Sequence, residues 1–184
     1  ILSLTLFVNG VMSVGYVGPL LTPGMAAVLS LDDKFFYLAA GMMVMALVAA
    51  AQWNSLAIDA RDAAILEPLP LAVATVRRAK LTAVALVGLV AAVAVNLWPS
   101  LVFPPLLAFT FTQMSVLALL GVIATHLVVT TLAALFGYLT VVALREALAA
   151  GLGARGFARV SPATQGLLIV VLGSALLLLP AASG

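Results

Sequence analysis

The sequence has no cysteine and very little charge. With no cysteine among its 184 residues, the chain forms no disulfide, no iron–sulfur cluster and no thiolate zinc site. Charged residues make up 8% of the chain, whereas soluble domains have roughly 25%. A soluble chain of this size buries about 70% of its surface, which cannot hide a sequence that is 65% hydrophobic. Soluble globular, disordered and nucleic-acid-binding classes are therefore excluded, and the composition predicts an integral membrane protein.

The chain also lacks the residues of a nucleotide-hydrolysing or catalytic site. Its only lysines are Lys34 and Lys80, and neither lies in G-x-x-x-x-G-K-[ST], the loop that cradles phosphates. It has a single histidine, His126, and its acidic residues have no acid–base partner in any apolar segment. We therefore expect that this chain is not an enzyme and holds no metal and no cofactor of its own.

Long uncharged stretches predict an all-α, polytopic helical membrane protein. Crossing about 30 Å of hydrocarbon takes about 20 mostly apolar residues. Because proline removes a backbone donor, we expect the longest uncharged stretch to be divided at 98–105, which contains three prolines. One transmembrane domain over 1–184 follows, with about five helices, the first truncated or broken, and we expect it to be part of a longer chain. The expected spans are 1–17, 35–57, 80–98, 110–144 and 163–182.

Basic residues cluster in two of the predicted loops. Every Lys and Arg except Lys34 lies in or beside 58–79 or 145–162. Because Lys and Arg resist translocation, such loops stay in the cytoplasm. Alternating spans put both loops on one face, with 32–34 on the other. We therefore expect 58–80 and 145–160 to be cytoplasmic, and the alanine-rich, lysine-poor composition suggests the cytoplasmic (inner) membrane of a bacterium.

The first basic loop carries the most informative pattern. Residues 59–70 read D-x-R-D-x-x-x-L-x-x-L-P, and 79–81 read A-K-L. On spacing alone, this pattern fits either a loop that obeys the positive-inside rule or an amphipathic turn that docks another protein at the membrane surface. The run resembles the loop between the second and third spans of type-2 ATP-binding-cassette exporter permeases. The resemblance covers 53–81, and 155–161 with Gln165 is weakly similar to the start of a later span in the same permeases.

In that family, this loop forms a coupling helix that sits in a cleft of a separate ATPase subunit. The resemblance therefore implies ATP-driven export, with ATP bound on a partner subunit, and with that ATP-binding subunit and a second permease domain as partners. Family members usually have six spans, so a count of five departs from the pattern. The residues that we assign to the coupling surface are Arg61, Asp62, Leu66, Glu67, Leu69, Arg77, Arg78 and Lys80.

A small and polar seam follows the predicted fourth span around His126. On a helix, Ser115, His126, Thr130 and Gly137 share one face. Small residues let helices approach closely, and Ser, Thr and His hydrogen-bond across helices, so helix packing is the favoured interpretation. The other interpretation makes the seam a translocation or pigment-contacting face, because ionisable groups inside a membrane are costly.

A second function belongs to a different class. The chain would then be a non-transporting structural or pigment-contacting subunit of a larger redox or photosynthetic membrane complex, with other membrane subunits as partners. One histidine excludes a haem held by two histidines within this chain, but it allows a chlorophyll-type pigment with His126 as its single ligand.

Overall fold

The computed structural model describes residues 23–55, 72–111 and 115–182, and over these residues it is all-helical. The three helices are α1 (Pro23–Ala51), α2 (Val73–Phe111) and α3 (Val116–Ala182). Each contains a segment long and apolar enough to cross a membrane, which confirms the helical membrane protein that the composition predicts. Helices suit this setting because, in hydrocarbon, each backbone N–H and C=O must be paired within the segment. The first predicted span, 1–17, lies outside the described residues.

α1 is one continuous helix. It begins at Pro23, whose fixed φ and missing N–H suit the first helical position. The predicted span 35–57 extends beyond it, because α1 ends at Ala51 and the chain turns over 52–55. Residues 32–34, which we expected between two spans, lie within α1, and their position on the side of the membrane opposite the basic loops stays a prediction.

α2 continues through the prolines at which we expected a turn. Pro99, Pro104 and Pro105 all lie inside this helix, so the span predicted to end at 98 continues as helix to Phe111. Proline removes a helical donor and crowds the preceding turn, but neighbouring helices can hold such a segment together in a membrane. Here Pro99, Pro104 and Phe103 are all buried in the bundle, so packing maintains the helix.

α3 includes a segment that we predicted to be a loop. We expected spans at 110–144 and 163–182 with a loop at 145–162, but α3 is helical across all of these residues from Val116 onwards, apart from a break at Gly153. The loop prediction relied on charge, whereas the segment is rich in Ala, Leu, Arg and Glu, which are strong helix formers. Gly153 has φ 64° and ψ 174°, a conformation that glycine adopts without steric cost. It divides α3 into an N-terminal arm (116–152) and a C-terminal arm (154–182).

One end of the bundle gathers around Tyr37. Its ring contacts Phe103 of α2 and His126 of α3, with centroids 4.8 and 5.9 Å apart. Leu179, near the end of the C-terminal arm, belongs to the same buried cluster as Tyr37 and Phe103. This Tyr37 end therefore contains the first half of α1, the end of α2, the start of the N-terminal arm and the end of the C-terminal arm.

The opposite end gathers around Trp53. Trp53 is hydrogen-bonded to Arg145 of the N-terminal arm and to Ser161 of the C-terminal arm. Because Phe103 lies at the Tyr37 end, the start of α2 lies at this Trp53 end. The four helical segments thus alternate in direction, and the Gly153 break lies at the Trp53 end. The helix ends that flank the first basic loop and the second basic segment are therefore at one end of the bundle, as alternating spans require.

Close helix approaches form the core between the two ends. A Cβ on Gly88 would lie 2.6 Å from the Tyr138 ring, and a Cβ on Gly137 would lie 2.3 Å from the backbone oxygen of Met42. Ala92 is fully buried one turn from Gly88, so these two small residues form a contact face on α2. The fully buried members of this core, those with no exposed surface, are Met45, Ala49, Ala50, Trp53, Ala92 and Ala134.

Candidate functional site

A buried polar cluster lies where α1 ends, directly before the loop that carries the permease-like motif. We call Trp53, Arg145, Phe157, Ser161 and Gln165 the Trp53 cluster. The Trp53 side chain is fully buried, and its indole Nε1–H donates to Ser161 Oγ at 2.7 Å. A buried indole N–H needs a partner, and Ser161 supplies it from a residue 108 positions later in the chain.

One backbone carbonyl at the end of α1 and one in the turn that follows it are held by side chains of α3. Gln165 Nε2 donates to the Ala50 oxygen at 2.9 Å, and Arg145 Nε donates to the Trp53 oxygen at 2.8 Å. The last four C=O groups of a helix have no intrahelical partner, and a cation near this end interacts favourably with the helix dipole. Both arms of α3 therefore cap the end of α1, one with Arg145 and the other with Gln165.

Arg145 connects the two arms around this cap. It is 6% exposed, its guanidinium lies over the Phe157 ring at 5.2 Å, and it forms an ion pair with Glu146. A buried charge persists only when it is paired and hydrogen-bonded. Because the carbonyl, the ring and the carboxylate all contact one guanidinium, the end of α1 and the two arms are linked as one unit.

The Trp53–Ser161 hydrogen bond should show measurable coupling. In a double-mutant cycle, we expect Trp53→Phe and Ser161→Ala to couple by about 0.6–1.7 kcal/mol in the free energy of unfolding, the range of hydrogen bonds between helices in membranes. Unfolding of the purified protein in a denaturing-detergent titration measures this. Thr164→Ala is the matched control, because Thr164 Oγ1 donates to Val160 within its own helix. Equal coupling of Trp53→Phe to both alanine variants would contradict the assignment.

Most of the predicted coupling surface lies outside the described residues. This holds for Arg61, Asp62, Leu66, Glu67 and Leu69. The remaining three lie in the first turns of α2, with Arg78 exposed and Lys80 half-buried; they are Arg77, Arg78 and Lys80. These three residues therefore lie at the Trp53 end of the bundle.

The predicted polar seam packs against α1 at Gly137, whereas Ser115 and Thr130 form hydrogen bonds within α3. Ser115 accepts a hydrogen bond from the Ala118 amide at 3.3 Å and so caps the start of α3. Thr130 is buried and donates to the His126 carbonyl at 2.8 Å within its own helix. Gly137 sets the closest backbone approach to α1. The approach at Gly137 and the burial of Thr130 fit the packing interpretation for this part of the seam.

His126 lies in the aromatic cluster at the Tyr37 end. Its ring centroid is 5.9 Å from that of Tyr37 and 5.5 Å from that of Phe103. Its Nε2 is buried and has no hydrogen-bond partner among the described residues. Its assignment as a pigment ligand stays a prediction.

The Trp53 cluster could not be predicted from sequence patterns. We expected Trp53 to anchor at a membrane interface, where indole rings are common, but it is fully buried. Arg145 and Ser161, its hydrogen-bond partners, lie in distant segments of the sequence. Hydrophobic periodicity predicts the buried face of a helix, but it does not predict which distant segments contact each other. The one available signal was the second stretch similar to the permeases, because it contains Phe157, Ser161 and Gln165.

Comparisons with protein-family models, with curated proteins and with solved structures give no match to this chain.

Proposed function

We propose that the chain is the membrane-spanning permease component of an ATP-driven exporter of the ATP-binding-cassette type. It would act in a bacterial cytoplasmic membrane with a second permease domain and a separate ATPase subunit, which binds the ATP. The loop 58–80 would be the surface that contacts the ATPase. The observation that carries the proposal is the cap on α1: the helix end that leads into this loop is hydrogen-bonded to both arms of α3.

This cap supplies a mechanical route from the loop to the membrane segments. A coupling loop does work only if its displacement moves the helices that enclose the transport path. Arg145 and Gln165 bind backbone oxygens of Trp53 and Ala50, so a displacement of the end of α1 is transmitted to both arms. Ser161 adds a third connection through the Trp53 indole. ATP-driven closure of the ATPase would in this way shift α1 and α3 together.

The outer faces of the helices suit a second permease domain and lipid. Large apolar side chains on α2 are well exposed, among them Leu86 at 56%, Val90 at 69% and Leu97 at 45%. Exposed apolar surface of this extent is stable against hydrocarbon or against another helical domain. The chain therefore has apolar faces for lateral assembly and a polar end for the ATPase.

Single-cysteine labelling tests the orientation and the contact together, because the chain has no cysteine to interfere. In inverted inner-membrane vesicles, we expect a membrane-impermeant maleimide to label Glu67→Cys and Arg155→Cys and to leave Asp32→Cys unlabelled. Bound ATPase should then protect Glu67→Cys and leave Arg155→Cys reactive, because only the first lies on the proposed coupling surface.

Two results would count against this proposal. Labelling of Asp32→Cys alone would show that the basic loops face away from the cytoplasm. Unchanged labelling of Glu67→Cys in the presence of the ATPase would show that the 58–80 loop is not the contact surface.

A further inference from the structure

A groove lies between α1 and the N-terminal arm of α3, near the Tyr37 end and away from the Trp53 cluster. We call it the Lys34 groove. Its volume is about 470 Å³, within the range of roughly 300–1,000 Å³ typical of small-molecule sites. Apolar side chains form most of its wall, with a cation and an imidazole among them. The lining residues that matter here are Lys34, Leu38, Gly121, Val122, His126 and Val129.

The groove opens sideways, toward the hydrocarbon that surrounds a membrane bundle. Val122 and Val129 on its rim are 39% and 46% exposed. Gly121 contributes no side chain, and a Cβ placed there would meet no atom within 4 Å. An open apolar groove on the flank of a membrane helix pair is accessible to a lipid chain without passage through water.

One charged side chain, that of Lys34, lines the groove, and two aspartates directly precede it in the chain. Lys34 follows Asp32 and Asp33, and α1 carries no charge from the next residue to its end at Ala51, so we place these charges at headgroup level. Lys34 and Asp33 already take part in interactions within the protein, but an ammonium has three donors and a carboxylate accepts several hydrogen bonds. One ammonium beside two carboxylates complements a headgroup that carries both a phosphate and an ammonium.

His126 lies slightly deeper on the same wall. It contacts Tyr37, which follows Lys34 by three residues, a rise of about 4.5 Å along the helix. That depth, just inside the headgroup, is where a glycerolipid has its ester carbonyls. His126 lines the groove, and its buried Nε2 has no hydrogen-bond partner among the described residues.

We propose that the Lys34 groove binds one zwitterionic glycerophospholipid. One acyl chain lies along Leu38, Val122 and Val129, the phosphate contacts Lys34, and the headgroup ammonium faces the neighbouring carboxylates. The site does not depend on ATPase coupling, since none of its residues belongs to the Trp53 cluster or to the 58–80 loop. It is therefore tested by binding to the purified chain, without a transport assay.

Native mass spectrometry of the full chain in detergent, with added palmitoyl-oleoyl phosphatidylethanolamine, measures this binding. We expect a one-lipid adduct on the wild type that Gly121→Phe removes, because Gly121 lines the groove and a Cβ there meets no protein atom, so the phenylalanine ring can occupy the space of the lipid chain. Gly166→Phe is the matched control: Gly166 also faces open space, but it lies on the C-terminal arm outside the groove. Equal melting temperatures of the two variants would show that both fold.

The headgroup contact is tested separately. A lysine near the membrane surface contributes about 1 kcal/mol toward an anionic group, so we expect Lys34→Gln to weaken lipid retention about fivefold. Phosphatidylglycerol, which lacks the ammonium, should compete less well than phosphatidylethanolamine. An undiminished adduct on Gly121→Phe, no adduct on the wild type, or equal competition by phosphatidylglycerol would each overturn the proposal.

Discussion

Replacing both Leu66 and Leu69 with aspartate is expected to abolish ATP-driven function while the chain still inserts into the membrane. In the proposed exporter, the loop that carries these leucines sits in a cleft of the ATPase. Burying one leucine contributes about 1.5–3 kcal/mol, so losing two weakens the contact by at least about a hundredfold. Aspartate adds its own desolvation cost in such a cleft. The measurement is the ATP hydrolysis that co-isolates with the tagged chain from detergent-solubilised membranes.

Leu152→Asp is the matched control for this double replacement. Leu152 is 46% exposed and lies beside the Gly153 break, at the same end of the bundle as the end of α1 and the start of α2. It makes the same chemical change outside the proposed coupling surface, so we expect co-isolated ATP hydrolysis to stay near the wild-type value. Full activity of the Leu66→Asp, Leu69→Asp protein would refute the coupling role of this loop.

Gly137→Leu is expected to destabilise the bundle severely. A Cβ at this position would lie 2.3 Å from the backbone oxygen of Met42 and 3.0 Å from its carbonyl carbon. The obstructing atoms are backbone, so they cannot move aside as a flexible side chain would. Overpacking of a core costs about 1–3 kcal/mol and occasionally more, and we expect about 3 kcal/mol or more here because α1 and α3 must separate. Denaturing-detergent titration of the purified protein measures the loss.

Gly166→Leu provides the comparison for this steric effect. Gly166 is also inside α3, but a Cβ there meets no atom within 4 Å. Leucine is a better helix former than glycine by roughly 0.8 kcal/mol, so we expect this variant to be as stable as the wild type or more stable. If Gly137→Leu and Gly166→Leu unfold at the same detergent fraction, the close approach of α1 and α3 is wrong.

The sequence predicted what depends on composition and on local pattern. Long apolar runs identified the membrane helices. A helix forms its backbone hydrogen bonds within one segment, so length and hydropathy are enough to predict it. The charge pattern grouped the two basic segments, and the helix ends that flank the first lie at the same end of the bundle as the second. The spacing of Thr130 and Gly137 identified a helix-packing face, because residues three or four apart, or a multiple of this spacing, share a side of a helix.

The parts that depend on tertiary contacts were missed. Pro99 and Pro104 read as a turn by local rules, but their burial beside Phe103 keeps α2 helical. The charge of 145–162 suggested a loop, whereas its helix formers continue α3 on both sides of one glycine. Trp53 and Ser161 are 108 positions apart, so only the folded chain shows that they form a hydrogen bond.

Affinity purification of the wild-type chain in mild detergent, with mass spectrometry of the proteins that stay bound, tests the permease assignment most directly. Our account predicts a cytoplasmic protein with a phosphate-binding loop, recovered in stoichiometric amount, because this chain lacks that loop and would use the ATPase of a partner. Recovery of pigment- or haem-bearing membrane subunits with no ATPase would contradict it and would favour a structural role in a larger membrane complex.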